Sequence, residues 1–90
     1  KAVETEWTAE AVLYYNIACV EAESGSLEKA GEAFAKAFEL DAKMAEALYN
    51  RAVVYLLQGR NDDAVPLLST SGEMGLYKAY NLLKQAKNRK

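Results

Sequence analysis

The stretch AVLYYNIACVEAESGSLEKAGEAFAKAFELDAKM, residues 11–44, decides how the rest of the chain is read, because it starts again at Ala45. Displaced by 34 residues, the sequence falls on itself: Tyr15-Asn16 on Tyr49-Asn50, Ala18 on Ala52, Gly25 on Gly59 and Ala30 on Ala64. A period of this length with a glycine near its middle marks a stacked array of helix–turn–helix units.

Working outward, each unit divides into two helices. Thr8 is a fair N-cap for a first helix over Ala9–Glu23, with Glu10 in its first turn and Trp7 and Val12 placed as a hydrophobic staple. Tyr14, Ile17 and Ala18, with Leu13 and Val20, form the expected buried stripe. Ser24-Gly25-Ser26 ends this helix, and Gly25 suits the left-handed position after a helix. Ser26 then caps a second helix over Leu27–Leu40, where Ala30, Ala33, Phe34, Ala37 and Phe38 recur at helical spacing. Phe34 is expected to be the most buried residue, and Asp41 to cap the next helix.

That third helix is expected over residues 43–57, with Leu48, Ala52 and Tyr55 inward and Gly59 as its stop. A fourth starts near Asn61 as N-cap, with Asp62 and Asp63 in its first turn. Pro66 and the weak helix formers Ser69-Thr70-Ser71-Gly72 predict that it is short or kinked and ends by Ser71. A last helix is expected over residues 74–87, with Leu76, Tyr77, Tyr80, Leu83 and Lys87 on one face. Its Tyr80-Asn81 echoes Tyr49-Asn50 at 31 residues rather than 34. An atypical terminal helix would cover the apolar face of the last repeat. Residues 1–7 read as a lead-in and residues 88–90 as a frayed end.

The pattern resembles the tetratricopeptide repeat family. Tyr14, Ile17, Ala18, Gly25, Ala30, Phe34 and Ala37 fit its repeat in the first unit, and Leu48, Ala52, Tyr55, Gly59, Ala64 and Leu68 in the second. Glu21 departs where the family has Tyr, Ala42 where it has Pro, Arg51 where it has Leu, and Ser71 where it has Ala. The resemblance implies an all-α fold of antiparallel helix hairpins in a right-handed superhelical array. It would form one domain over residues 1–90, with repeats at 11–44 and 45–75 and a capping helix at 76–88. It also implies a groove lined by the first helix of each repeat. The groove positions are Val12, Tyr15, Cys19, Ala22 and Glu23, then Glu46, Tyr49, Val53, Leu56 and Leu57, with Asn50 beside them.

The family's role implies that this groove binds a peptide or partner protein, as a scaffolding or interaction module. The alternative is a purely structural segment, its groove filled by the parent chain or by self-association. One branch of the family grips C-terminal carboxylates of chaperones with Lys, Asn and Arg side chains. Of that set only Asn50 matches; Tyr15 and Cys19 replace the first-helix Lys and Asn, and Tyr80 and Lys84 stand at the third-helix positions. A carboxylate clamp is therefore not expected.

Composition narrows the chemistry. With no His and one Cys, the commonest general base is missing, and neither a zinc site nor an internal disulfide is implied. The glycines are scattered at helix ends rather than gathered in a phosphate loop. The reading is a non-enzyme with no cofactor and no metal, in which Cys19 is a small, half-buried apolar residue. No run is long and apolar enough to span a membrane. A net charge of −2 argues against nucleic acid as a partner. The sequence lacks an initiator Met and a signal-peptide pattern, and is read as a piece of a longer chain whose compartment is not legible.

Charge is unevenly divided. Residues 1–46 hold ten acids and four bases, a balance of −6, and residues 47–90 hold three acids and seven bases, a balance of +4. One reading is solvated faces plus a basic last turn that suits the helix dipole; the sharper one is weak head-to-tail self-association. Glu21 and Arg51, both breaking an apolar pattern, are expected to pair with each other.

Overall fold

The computed structural model describes residues 7–88. Most of the expected lead-in, and the expected fraying of Arg89 and Lys90, lie outside the described residues; Asn88 still belongs to the last helix. The order is α1 (Ala9–Glu23), α2 (Leu27–Leu40), α3 (Ala45–Leu57), α4 (Asn61–Glu73) and α5 (Lys78–Asn88). No strand occurs among the described residues. Each helix packs on the next, α1 on α2 through to α4 on α5, in a body of 41 × 28 × 17 Å.

Three of the four connections use the same device. After α1, the Gly25 N–H donates to the Ala22 carbonyl (3.1 Å) and the Ser26 N–H to Glu21 (2.8 Å). After α3, Gly59 donates to Leu56 (3.0 Å) and Arg60 to Tyr55 (2.8 Å). After α4, Gly75 donates to Gly72 and Leu76 to Ser71, both at 3.0 Å. This double bond satisfies carbonyls that the helix end leaves free, and it needs a left-handed residue at its centre. The three glycines have φ of 90°, 78° and 109° respectively. Gly75 therefore delays α5: the helix expected from residue 74 begins at Lys78, and Met74 is the C-cap of α4.

The α2–α3 corner is built on Asp41 instead. Its carboxylate accepts from the Thr8 N–H (3.0 Å) and the Lys43 N–H (3.1 Å). It thus ties the start of α1 to the corner rather than capping α3, whose N-cap position is Met44. The Thr8 bond holds the Asp41 carboxyl below the ordinary aspartate range; burial opposes it, and the N–H and charge of Lys43 reinforce it. A depressed carboxyl stabilises the fold above its unfolded value, near 3.9, and that contribution is lost as pH falls through the folded value. Asp41→Ala is expected to lower the thermal midpoint at about pH 7, and the gap to the parent should close as pH falls below about 4. An equal gap at both ends of a pH series of melting curves would count against this role.

The core divides in two. Ala11, Ala18, Ala30, Phe34, Ala37, Met44, Ala47 and Val54 form one cluster; Ala52, Ala64, Leu68, Ala79 and Ala86 form the other. Trp7 and Val12, the expected staple, both pack on the first. Phe34 is buried, but Met44 and Leu68 are more completely enclosed. Thr8 caps α1 by accepting from the Ala11 N–H at 3.3 Å. Ser26 stands at the N-cap of α2 without a side-chain bond, and Arg60 rather than Asn61 precedes α4.

Four expectations are corrected by packing. In α1, Ala18 is buried but Leu13, Ile17 and Val20 are exposed. Apolar residues surround α1, so periodicity alone does not choose its inner face; α2 does, and it takes the small side chains. α4 continues through Pro66 to Glu73. Pro66 and Asp62, whose carbonyl loses its helical donor, are both exposed, so water can replace the missing bond. Ser71 is enclosed yet satisfied, donating to the Leu67 and Leu68 carbonyls. In α5, Ala79 and Ala86 face inward with Leu82 and Leu83, whereas Tyr77, before the helix, is exposed and Tyr80 lies against Gly72 of α4 with the rest of its ring in solvent. Finally, no Glu21–Arg51 ion pair forms. Arg51 Nη2 donates to the Tyr55 hydroxyl at 2.9 Å, and its guanidinium lies 5.2 Å from that ring's centre. A residue one turn away on the same helix reaches Arg51 without crossing between helices.

Candidate functional site

The first helices of the two repeats meet through side chains. Asn50 Nδ2 of α3 donates to the Tyr15 hydroxyl of α1 at 2.8 Å. The Tyr15 ring stands edge-on to Phe34, centroids 5.5 Å apart and planes at 68°, an arrangement aromatic rings favour. On the other flank α5 joins α3: Lys78 Nζ lies 4.8 Å from the centre of the Tyr49 ring and 3.9 Å from a Glu46 carboxylate oxygen. The sequence reading passed over Lys78, whose role appears only once α5 is placed beside α3.

Between α1 and α3, with Phe34 of α2 at the base, lies a cavity of about 210 Å³. Cys19, Ala22 and Glu23 line one side and Asn50, Val53, Val54 and Leu57 the other. Its volume suits one large apolar side chain. Leu57, 65% exposed, stands at its rim. Six expected groove residues thus share one cavity: Cys19, Ala22, Glu23, Asn50, Val53 and Leu57. Val12 and Tyr15 pack on the first core cluster, and Tyr49 and Leu56 on the second. Tyr15 and Tyr49 are half-buried; one is held by Asn50 and the other partly roofed by Lys78.

Burial, more than the neighbouring Glu23, pushes the Cys19 thiol up, which keeps it protonated and a poor nucleophile. Burial is also the largest cause raising Tyr15, with Cys19 and Glu46 adding to it and the Asn50 bond opposing. Asn50 donates to Tyr15, and Lys78 faces Glu46. A second cavity of about 180 Å³ lies between α2 and α3. There Arg51 and Arg60 are set against Glu28 and Glu32, so it offers no single charge to a ligand. Among the described residues no group of three or more His, Cys, Asp or Glu could hold a metal ion, and no helix is long and apolar enough to cross a membrane.

The repeated hairpins carry the signature of one family, and a family model for the tetratricopeptide repeat matches residues 21–74, more than half of the chain. The chain belongs to the tetratricopeptide repeat family. A search of the curated proteins finds no match. Tetratricopeptide repeats serve in general as protein-interaction or scaffolding modules. The match runs from late α1 through α4, so it includes the Glu23, Val53 and Leu57 walls of the cavity.

Proposed function

We propose that this tetratricopeptide repeat domain binds a peptide or a helix of a partner protein across α1 and α3, without catalysing a reaction. An apolar side chain of the ligand enters the cavity between Cys19, Val53 and Leu57. Glu23, exposed at its edge, favours a basic residue beside that anchor. The observation that carries the reading is the open apolar cavity at positions the family uses for its groove, with Leu57 held out in solvent. Tyr15 and Tyr49 then act as half-buried walls, preset by Asn50 and Lys78. A wall fixed before binding lowers the ordering cost of association.

The test is selection of random peptides on the folded chain, followed by titration of those enriched. Leu57→Asp is expected to weaken them by about thirtyfold, roughly 2 kcal/mol, while Leu57→Met stays near the parent. Because Leu57 is exposed, Leu57→Met should leave the melting temperature in place, and Leu57→Asp, an acid in the last turn of α3, should lower it only slightly. Failure to enrich any peptide, or enriched peptides indifferent to Leu57→Asp, would remove the cavity as the binding site.

A further inference from the structure

Helix α1 has a second face. Leu13, Ile17 and Val20 follow one another at helical spacing and are 56%, 41% and 64% exposed. The internal repeat shows what such a face is built for. One repeat later the same positions are Ala47, Arg51 and Val54 of α3. Ala47 and Val54 are buried there, with Val54 against Gly31 of α2 and Arg51 lining the cleft between the two helices. In α3 this face is covered by a helix; in α1 no described element covers the same positions. Its rim is acidic, with Glu10 and Glu23 exposed and Glu21 half-buried.

At the far end of the stack, α5 offers the complement. Tyr77, just before α5, is 74% exposed; Tyr80 is 42% exposed, one side of its ring lying against Gly72 of α4, and Lys84 and Lys87 are exposed beside them. Two acidic α1 faces would repel each other, whereas an α1 face meeting an aromatic and cationic α5 face gains both apolar burial and charge attraction. We propose that copies of this chain associate head to tail, the Leu13–Ile17–Val20 face of one docking on the Tyr77–Tyr80–Lys84 face of the next. Such a contact joins different surfaces, so it does not close at a dimer, and growth continues while free ends remain. A footprint of one helix on each side makes it weak.

Sedimentation of the chain at rising concentration tests this. The mean mass should climb past that of a dimer, and association should weaken by roughly tenfold between about 0.05 and 0.5 M salt. Val20→Glu blocks one end, and Lys84→Glu with Lys87→Glu blocks the other; all three sites are exposed, so folding should persist, as circular dichroism would show. Each blocked chain alone should be monomeric. An equimolar mixture should restore a one-to-one dimer and stop there, because one live end of each kind remains. A parent that stays monomeric to about 1 mM, association unmoved by salt, or a mixture that forms no dimer would overturn the proposal. So would a chain blocked at α5 that still dimerises through α1.

Discussion

Phe34→Ala is expected to destabilise the chain by about 3–5 kcal/mol. The ring is 2% exposed and belongs to the first core cluster, edge-on to Tyr15. It also forms the base of the cavity between α1 and α3. Its removal would join that cavity to the void left behind and free the Tyr15 wall. A chain of 90 residues has in total roughly 5–13 kcal/mol of stability, so the variant should be partly unfolded near body temperature. Urea denaturation measures the loss. A midpoint displaced no more than in Leu13→Ala, a change on the exposed face of α1, would show that Phe34 is not a core residue.

Leu68→Ala is expected to cost about 2–5 kcal/mol. Leu68 is fully enclosed, and the other buried members of its cluster are Ala52, Ala64, Ala79 and Ala86. Those alanines have nothing to swing into the void, so only partly buried neighbours such as Leu82 and Leu83 can fill it. Whatever void stays open adds a cavity cost to the lost burial. Because the two clusters are separate, hydrogen exchange should show protection lost first in α4 and α5 and later in α1. Uniform loss across all five helices would indicate a single cooperative core instead, and a loss below about 1 kcal/mol would contradict the enclosed position of Leu68.

Part of the cavity lining was legible in the sequence. The 34-residue period placed Cys19, Glu23, Val53 and Leu57 on equivalent helix faces, and the structure gathers them around one cavity. What the period did not show is how these residues are already occupied. The Tyr15–Asn50 bond joins residues 35 apart, and Lys78 reaches Tyr49 from a helix whose register follows no repeat. Long-range side-chain partners leave no periodic trace.

The helical class, the repeat, the alanine contacts at Ala18, Ala30, Ala37 and Ala52, and the stops at Gly25 and Gly59 follow from residue types and their spacing. These rest on local physics: a missing Cβ permits the left-handed turn, and small residues at helical spacing permit close approach. Tertiary structure alone decided the inner face of α1, the survival of α4 past Pro66, the late start of α5 and the partner of Arg51. Each of these is a competition between alternatives that are locally similar in energy. Leu13, Ile17 and Val20 could have turned inward as readily as Ala11 and Ala18. The neighbour that packs on a helix settles which side loses water, and that neighbour is named by the fold rather than by the residues beside it in the chain.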